Sequence, residues 1–532
     1  MSTVREATFE LLRERGIEMI FGNPGSTELP MLTEFPGDFR YILALQEASA
    51  VGIADGYAQA SGKPALVNLH TAPGLGNGMG AIFNAQANKA PLVITAGQQY
   101  RTLMTMQANL TNRDATRMPH PLVKWSYEPP CAQDVPHALA RAIHLASLPP
   151  TGPVFVSIPM DDWSAEVDEH QTAHQIKRTV KGKSSPDAAV IAQLAERLRS
   201  ARNPAFVAGP EIDASGGFQA AVKLAERQRL AVYATPAPGG GRIGFPENHE
   251  LFQGILPPAV GPLGEALAQH DFVLCAGTSI FPYYPNVPGA LLADTTSLVA
   301  ITSDPDEAAR APMGDAIVAD VALTLAVLAE AVEESQREAP GARPAAEAAP
   351  ESDPMSPSTA VRALAEVFPS DGIVVLESPS ATLALRNQLR LSRPGSYYFS
   401  SGGGLGFAMP ASIGVALACP DRPVVCVLGE GSAQYAIQSF WSAAAYEVPV
   451  TFLVLRNDEY AILKWFGMLE DIVGAPGLDL PALDCASLAS GYGIEAHNAD
   501  DPEELTERLR QAIASPRPAL IQTRVAPGMA LA

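Results

Sequence analysis

The sequence predicts an α/β protein of three domains, each with a mostly parallel sheet flanked by helices. Short apolar runs recur along the chain, and segments with helical periodicity separate them. Unbroken apolar runs of this length are typical of strands that are buried on both faces of a parallel sheet. In order, the runs include IEMIFG, YILALQ, ALVNLH, LVITAG, VFVSIP, AFVAG, LAVYATP, FVLCAG, LVAITSD, IVVLE, VVCVL, VTFLVL and ALIQTRV.

Two polar stretches divide this alternation into three parts. Residues 165–187 lose the apolar periodicity, and residues 334–358 are rich in Pro, Ala and Glu, which favours extended, solvated connections. We therefore expect domains at residues 1–170, 185–335 and 356–532. In open parallel sheets, ligands bind beyond the carboxyl ends of the strands, so the residues that follow the apolar runs are the candidates for function.

The composition restricts the classes of partner. Of 532 residues, 47% are hydrophobic and 17% are charged, as in a well-buried globular protein. The formal net charge of −21 makes nucleic acid and anionic membranes poor partners, because both are negatively charged. The five cysteines are scattered without a Cys-x-x-Cys pair, so we expect neither disulfides nor zinc ligands. Since no apolar run reaches the roughly 18 residues of a membrane span, and the N-terminal segment lacks a signal-peptide core, we expect a soluble cytoplasmic protein.

Oxygen ligands follow two apolar runs of the third domain. Glu430 comes after the run at 424–428, and Asn457 comes after the run at 450–455. If these runs form neighbouring parallel strands, both carboxyl ends open on one crevice. A carboxylate, an amide oxygen and the backbone near Glu459 offer the hard oxygen ligands that Mg²⁺ prefers. The sequence therefore predicts a Mg²⁺ site here.

The residues around Glu430 also have features of a diphosphate site. Gly429 and Gly431 let backbone N–H groups approach a ligand closely, and a helix that begins near Ser432 presents a favourable dipole. The same residues fit an ordinary tight turn from strand to helix, in which Glu430 only stabilises the helix dipole. Residues 429–432 alone leave both interpretations open.

Three polar residues follow apolar runs of the first domain. Ser26 lies in NPGS, Glu47 begins a helical segment, and His70 ends ALVNLH. Each has an ordinary structural explanation, because serine caps turns, an acid stabilises a helix start, and a lone histidine at a strand end is usually structural. Together, however, they occupy the carboxyl ends of strands in one expected sheet. We therefore treat all three as candidate catalytic residues.

Two glycine-rich segments remain. In SSGGGLGFAMP, at residues 400–410, the glycines let the backbone lie close to a ligand, and Leu405 projects either towards that ligand or into the core. GLGNGMG lies between a strand and a helix, but it does not give a clean G-x-G-x-x-G, and no acid follows about 20 residues later. We therefore do not expect an NAD site.

Five segments are specific in their combination, order and spacing. They are FGNPGSTELP, LALQEASAVGIADGYA, NLHTAPGLGNGMG, PGSYYFSSGGGLGFAMPASIG, and GEGS with LRNDEY. Together they resemble the thiamine-diphosphate-dependent 2-oxo acid decarboxylase family, and its benzoylformate decarboxylases most closely, over essentially the whole chain. The resemblance implies the thiamine-diphosphate enzyme fold, with pyrimidine-binding, middle and diphosphate-binding domains. It also implies thiamine diphosphate and Mg²⁺ as cofactors, and a homotetramer whose active sites lie between subunits.

The resemblance further implies roles for the candidate residues. Glu47 contacts the pyrimidine ring of the cofactor and shares a proton with it, whereas Ser26 and His70 contact the substrate carboxylate and transfer protons. Leu405 supports the bent conformation of the cofactor, and the Gly403 carbonyl accepts a hydrogen bond from its exocyclic amine. An apolar pocket corresponds to Leu110, Phe399, Ile462, Leu463 and Phe466, of which Ile462 and Leu463 also adjoin the cofactor.

The chain departs from the family pattern in four places. Glu430 stands where the family has Asp, and Arg-Asn-Asp-Glu at 456–459 replaces the commoner Asn-Asn-Gly-Thr. The second active-site histidine has no counterpart, and FPYYPN places Tyr284, or else Tyr283, at that position. A tyrosine can donate a hydrogen bond but is a poor acid at neutral pH. Ile462 is larger than the alanine typical of the family and would narrow the pocket.

The predicted activity is non-oxidative decarboxylation of benzoylformate, or a related aromatic or branched 2-oxo acid, to an aldehyde and CO₂. The second hypothesis is a carboligase or lyase of the acetolactate synthase or benzaldehyde lyase type, because a poor proton donor would leave time for an acceptor aldehyde to react. A third is a homologue that binds the cofactor without catalysis. In each case we expect small-molecule ligands rather than nucleic acid or membrane.

Overall fold

The computed structural model describes residues 2–236, 241–281, 283–344 and 352–530. Within these residues, three parallel sheets are covered by helices, which confirms the predicted fold class. Part of the polar stretch at 334–358 lies outside the described residues. Among the helices of the described residues, we find none with the length and hydrophobicity needed to cross a bilayer.

The first domain alternates strands with helices. Its strands are β1 (Ser2–Thr3), β2 (Met19–Asn23), β3 (Arg40–Leu43), β4 (Ala65–Leu69), β5 (Leu92–Gln98), β6 (Ser126–Tyr127), β7 (Val154–Pro159) and β8 (Glu166–Val167). Its helices are α1 (Val4–Glu14), α2 (Leu29–Leu32), α3 (Glu47–Ser61), α4 (Thr71–Ala87), α5 (Arg101–Met104), α6 (Val135–Ser147) and α7 (Glu169–Lys177). The parallel sheet has the order β3-β2-β4-β5-β7-β6, and β1 pairs antiparallel with β8. Strands β4 and β5 are buried along their whole length, as their apolar sequences require.

The polar stretch at 165–187 is only partly a connection. Its first half forms β8 and α7, and Val167 and Ile176 are buried in the core of the first domain. Residues 178–187, all described, form neither helix nor strand. We expected a linker over this whole stretch, whereas its first half packs against the first domain through Val167 and Ile176. The first domain continues to Lys177, beyond the predicted boundary at residue 170.

The middle domain has a doubly wound sheet. Its strands are β9 (Pro204–Ala208), β10 (Ala231–Ala234), β11 (Phe252–Ile255), β12 (Phe272–Ala276), β13 (Ser297–Thr302) and β14 (Asp315–Val318). Its helices are α8 (Ala188–Ser200), α9 (Pro210–Ser215), α10 (Phe218–Gln228), α11 (Val260–Leu267), α12 (Pro305–Arg310) and α13 (Val321–Ala331). The strand order is β11-β10-β9-β12-β13-β14, so the order reverses between β9 and β12.

The third domain carries the glycine-rich loops. Its strands are β15 (Ile373–Glu377), β16 (Tyr397–Phe399), β17 (Val424–Gly429), β18 (Val450–Arg456), β19 (Glu495–Asn498) and β20 (Ala519–Arg524). Its helices are α14 (Pro357–Val367), α15 (Thr382–Leu389), α16 (Ala408–Ala418), α17 (Glu430–Ala433), α18 (Ser439–Ala445), α19 (Ala461–Leu469), α20 (Cys485–Gly491) and α21 (Pro502–Ala514). The strands pair in parallel in the order β16-β15-β17-β18-β20-β19.

Helices α3 and α16 join the first and third domains through glycine contacts. A Cβ on Gly56 would lie 2.1 Å from the carbonyl oxygen of Ala411, and one on Gly414 would lie 1.9 Å from that of Ile53. The two backbones therefore approach more closely than any side chain would permit. This contact fixes the starts of both helices, where Glu47 and the 400–406 loop lie, relative to each other.

Candidate active site

The β17–α17 turn holds the predicted metal ligand in a buried position. Because β17 and β18 pair in parallel, with Gly429 opposite Leu455, Glu430 and Asn457 lie at the same edge of the sheet. Glu430 is 1% exposed, and burial raises the pKa of its carboxyl, while the backbone N–H groups of Asn457 and Asp458 oppose that rise. Its Oε1 atom is buried and has no hydrogen-bond partner. A buried carboxyl oxygen without a partner is costly, so a cation would fit this position.

The other predicted metal ligands differ in what they can offer. The Oδ1 atom of Asn457 accepts one hydrogen bond from the Glu459 N–H at 3.2 Å and keeps a second lone pair. The carboxylate of Glu459 is occupied by Lys464 and by the Gly528 N–H at 2.8 Å, so only the backbone carbonyl of Glu459 is a candidate ligand. Within the described residues, no group of three or more His, Cys, Asp or Glu side chains could hold a metal. A Mg²⁺ site here would depend on amide and carbonyl oxygens besides Glu430.

The two glycines of the turn have different roles. A Cβ on Gly431 would lie 2.7 Å from the Tyr460 ring and 2.8 Å from Leu480, so packing within the domain requires glycine at this position. At Gly429 the nearest atom to such a Cβ is the Ser432 hydroxyl oxygen, 4.0 Å away, so space is open beside this residue. Of the two, only Gly429 has open space on the side where a Cβ would lie.

A buried acid that the sequence analysis missed holds the 400–406 loop. The carboxylate of Glu377, at the end of β15, accepts hydrogen bonds from the N–H groups of Gly406 at 2.5 Å and Ala408 at 2.7 Å. Burial raises the pKa of Glu377 to about 7. Between these anchors and Ser400, Gly403 is exposed with a φ of +70°, and Leu405 is half-buried. The acid that ends the apolar run IVVLE was the available signal.

The loop is also bound to the first domain of the same chain. The side chain of Asn84, in α4, donates to the Gly404 carbonyl at 3.0 Å and accepts from the Gly404 N–H at 3.2 Å and from the Ser400 hydroxyl at 2.9 Å. Helix α4 therefore contacts the predicted cofactor loop near its end and carries His70 at its start.

Glu47 and His70 are neighbours in the first domain. Glu47 begins α3, is 7% exposed, and accepts a hydrogen bond from the Asn77 side chain at 3.1 Å. A Cβ on Gly74 would lie 3.1 Å from the His70 Cβ and 3.2 Å from the Glu47 Oε1 atom, so Gly74 separates the two side chains. Ser26 is exposed in the turn that follows β2, and β2 pairs with β4. The structure therefore brings these three candidates to one edge of one sheet.

Another residue without a sequence prediction contacts His70. Glu28 is 1% exposed, and one of its oxygens, Oε2, lies 3.0 Å from the Nδ1 atom of His70. Glu28 lies two residues after Ser26 within GSTELP, where an acid before an apolar residue resembles a solvated turn residue. Only the fold shows that its side chain is turned inward.

The predicted pocket residues of the third domain meet a tyrosine of the middle domain. The rings of Tyr284 and Phe466 are 4.6 Å apart, whereas Tyr283 packs against Phe281 in the middle domain, with 6.2 Å between ring centroids. Ile462 and Leu463 lie on α19 with Phe466. Of the two tyrosines considered, Tyr284 is the one that contacts a predicted pocket residue, Phe466.

The remaining pocket candidates lie apart from α19. Phe399 ends β16 and is half-buried, and Leu110, after α5, has a φ of +70°, which is strained for leucine. In the described part of the chain, no hydrogen bond joins Glu47, His70 or Ser26 to the turn at 429–432. One group of site residues lies in the first domain and the other in the third.

Comparisons with known proteins agree with this division of the site. Three segments match family models of the thiamine pyrophosphate enzymes. Residues 2–118 match the N-terminal TPP binding domain, and residues 191–328 match the central domain. Residues 380–523 match the C-terminal TPP binding domain. The chain therefore belongs to the thiamine pyrophosphate enzymes.

Individual relatives are similar over nearly the full length. The chain is 48% identical to a benzoylformate decarboxylase of Pseudomonas aeruginosa over 523 residues, which cover 98% of each chain. It is 43% identical to the structure of a thiamine diphosphate-dependent 4-hydroxybenzoylformate decarboxylase from Rhodococcus jostii RHA1, with a TM-score of 0.96 and 99% of each chain covered. An acetolactate synthase of Arthrospira platensis is 27% identical over 98% of this chain and 93% of its own.

Proposed function

We propose that the protein decarboxylates benzoylformate or a closely related aromatic 2-oxo acid to the aldehyde and CO₂. The predicted class of reaction, thiamine-diphosphate-dependent decarboxylation of a 2-oxo acid, is confirmed by the family and by full-length similarity to benzoylformate decarboxylases. The observation that carries the choice of substrate is the aromatic pair of Tyr284 and Phe466, next to Ile462 and Leu463 on α19. Such a pocket favours a flat, apolar side chain.

The residues of the third domain fit the cofactor and its metal. The buried, unpartnered Oε1 of Glu430, the Asn457 amide oxygen and the Glu459 carbonyl would hold Mg²⁺, and Gly429, with Ser432 beside it, would face the diphosphate. Thiamine diphosphate supplies an electron sink for cleavage of the bond to the carboxylate. The loop fixed by Glu377 would place Leu405 and the Gly403 carbonyl against the cofactor. Because glutamate is one methylene longer than the aspartate of the family, we expect the turn or the metal to sit slightly further away.

The residues of the first domain would handle protons and the substrate carboxylate. Glu47 is buried at a helix start, with one of its oxygens bonded to Asn77, and would share a proton with the pyrimidine ring. The Ser26 hydroxyl is exposed and free to donate to a carboxylate, and His70 would transfer protons beside it. Leu110 and Phe399 would complete the apolar wall.

Because the two groups of residues lie in different domains, we propose that they meet between subunits of a cytoplasmic homotetramer. Both groups adjoin exposed apolar side chains, Leu29 and Phe83 in the first domain and Leu463 and Val473 in the third. Contiguous exposed apolar patches mark surfaces that pair with another chain, and these side chains would contribute to such a surface. The first domain of one copy would then face the third domain of the next.

A carboligase or lyase activity is the second candidate, and Tyr284 is the observation that favours it. Where the family has a histidine near the pocket, this tyrosine would deliver a proton slowly at neutral pH. An intermediate that waits for its proton can instead react with an acceptor aldehyde. This side activity would use the same site and needs no further residue. A homologue that only binds the cofactor is less well supported, because the chain retains Glu47, His70 and Ser26 in ordered positions.

The middle domain argues against the flavin-dependent synthase branch. Nucleotides bind doubly wound sheets where the strand order reverses, here between β9 and β12. At that point a Cβ on Gly209 would lie 2.3 Å from the Gly277 carbonyl oxygen, so the backbones at the two strand ends are in close contact. Nearby carboxylates, gathered around Lys89, would also repel phosphate; they belong to Glu211, Asp304 and Glu307.

The test is direct. Purified protein with thiamine diphosphate and Mg²⁺ is incubated with benzoylformate, 4-hydroxybenzoylformate, pyruvate and a branched 2-oxo acid, and CO₂ and aldehyde are measured. We expect the two aryl acids to have the highest kcat/KM. Absence of turnover with every acid would refute the proposal, and preference for pyruvate would refute the substrate class. Hydroxyketone formed with excess acceptor aldehyde would establish the second activity.

A further inference from the structure

We propose that Glu28 is a positioning residue that fixes the protonation pattern of the His70 ring, so that the Nε2 atom is the one that exchanges protons. This inference rests on the proposed role of His70 in proton transfer. It concerns a buried carboxylate that neither the metal site nor the pocket uses.

Four donors converge on the Glu28 carboxylate. Oε2 accepts from the Gly25 N–H at 2.7 Å and lies 3.0 Å from His70 Nδ1. Oε1 accepts from the Gly97 N–H at 2.8 Å and from the Thr27 hydroxyl at 2.7 Å. An ionised carboxylate only accepts hydrogen bonds, and these four contacts use the four lone pairs of its two oxygens. The atom of His70 that faces Oε2 must therefore donate.

Thr27 leads to the same conclusion. Its hydroxyl oxygen lies 3.1 Å from His70 Nδ1, but its single proton is already directed to Glu28. Towards the ring it can only accept. Two acceptors thus face Nδ1, which must carry the proton, and the neutral ring keeps its lone pair on Nε2. After Nε2 takes up a proton, the imidazolium lies against the Glu28 carboxylate, which stabilises it, and Nε2 can return that proton.

The turn is shaped for this contact. A Cβ on Gly25 would lie 2.1 Å from the Nδ1 atom of His70, so only glycine lets the ring lie against residues 25–28. His70 itself lies between β4 and α4, as the N-terminal cap residue of α4, so its backbone is held by the elements on either side. A carboxylate that accepts a hydrogen bond from one ring nitrogen commonly orients a histidine whose other ring nitrogen reacts.

Glu28→Gln tests the proposal, because glutamine keeps the size of the side chain but presents an N–H₂ group to one neighbour. The first readout needs no turnover: solid-state ¹⁵N NMR of sedimented protein labelled at histidine reports which ring nitrogen carries the proton. The His70 signals, among those of nine histidines, are identified by their loss in His70→Ala. We expect a protonated Nδ1 in the wild type and a changed pattern in Glu28→Gln.

The second readout is kinetic. We expect kcat for the best aryl 2-oxo acid to fall roughly 100-fold in Glu28→Gln, with KM changed by less than about threefold, because proton transfer and not binding is impaired. Glu28→Asp, which keeps the charge, should recover part of kcat. Glu377→Gln is the matched control, since it also removes a buried carboxylate that accepts backbone N–H groups, but in the third domain; its His70 signals should not change.

If Glu28→Gln fails to fold, Gly25→Ala takes its place, because the added Cβ would lie 2.1 Å from His70 Nδ1 and push the ring away from Glu28. In that variant we also expect altered His70 signals and a lower kcat. A protonated Nδ1 in Glu28→Gln, or in Gly25→Ala where that variant replaces it, together with kcat within about twofold of the wild type, would overturn the proposal. An altered ring signal without turnover of any 2-oxo acid in the wild type would instead refute the proposed function and leave the contact established.

Discussion

Numbered along each domain, the strands of the first and third parallel sheets follow the same order, 2-1-3-4-6-5, whereas the middle sheet has the order 3-2-1-4-5-6. Corresponding positions in the first and third domains carry different residues. After the third strand of the sheet, one domain has His70 and the other has Glu430. With the same topology, the edge in the first domain carries a residue suited to proton transfer, and the edge in the third domain carries one suited to binding a cation. The chemistry depends on residue type at a strand end, and the sheet supplies only the position.

One feature is common to both edges. A buried acid near the end of the first strand accepts backbone N–H groups of a loop, Glu28 from Gly25 and Gly97, and Glu377 from Gly406 and Ala408. In the third domain the acid only shapes the loop. In the first domain it also contacts His70, and so it is placed to influence a reacting group.

Loss of the cation ligand should have the largest effect. In Glu430→Ala we expect Mg²⁺ affinity to fall by roughly 100-fold or more and the cofactor to be lost on gel filtration, because the variant removes the buried carboxylate whose Oε1 atom has no hydrogen-bond partner. Titration calorimetry with Mg²⁺ and thiamine diphosphate measures both affinities.

Glu459→Gln is the matched control for this variant. Its side chain is engaged by Lys464 and the Gly528 N–H, so we expect Mg²⁺ affinity within about threefold of the wild type. Wild-type retention of the cofactor by Glu430→Ala would show that Glu430 only stabilises the turn.

In the first domain, loss of the predicted catalytic acid should slow proton exchange and leave cofactor binding almost unchanged. In Glu47→Gln we expect cofactor affinity to change little, while hydrogen–deuterium exchange at the thiazolium carbon of bound thiamine diphosphate slows by about 100-fold or more. The reason is that Glu47 would share a proton rather than hold the ligand. Exchange is followed by proton NMR after acid quench. An unchanged exchange rate would remove Glu47 from catalysis.

The central strands of the sheets and most candidate site residues could be predicted from the sequence. The strands are unbroken apolar runs, and the candidate residues directly follow them. Two edge strands that the apolar runs do not indicate, β14 and β19, have the sequences DAIV and EAHN and contain no buried residue, so burial does not mark them. Glu430 and Asn457 were correctly expected at one edge, since parallel pairing follows from a β-α-β order.

Other parts of the site depend on contacts distant in sequence. Glu28 and Glu377 read as ordinary turn and strand-end acids, and only the folded loops show that their carboxylates are buried. The choice between Tyr283 and Tyr284 was likewise open, because neighbouring residues are separated only by the direction of each side chain. Gly431 is predicted to face a ligand, and the fold adds a second reason for glycine there, because a Cβ would overlap Tyr460 and Leu480.

The contact between α3 and α16 permits a test of how far the two edges depend on each other. In Gly414→Ala the added Cβ would overlap the Ile53 carbonyl, so we expect a loss of about 1–3 kcal/mol in stability and a lower Tm. Gly80→Ala is the control, because that position in α4 has open space and alanine favours helix; its Tm should stay equal or rise. A Tm for Gly414→Ala equal to that of the wild type would show that the helices can move apart freely.

The smallest effect concerns Glu377 and pH. Because burial raises its pKa from the usual 4.5 to about 7, the folded protein holds this proton more tightly than the unfolded chain does. The stabilisation is therefore fully present below about pH 4.5 and is lost as the pH rises through about 7, with a limit of about 3 kcal/mol. We expect the Tm of the wild type, relative to that of Glu377→Gln, to fall between about pH 5 and about pH 8.

Glu366→Gln, at an exposed position of α14, is the control, and its difference from the wild type should not vary with pH. A constant difference for Glu377→Gln would mean that the N–H groups of Gly406 and Ala408 fully offset the burial of the charge, and that the loop is held by an ionised acid at every pH tested.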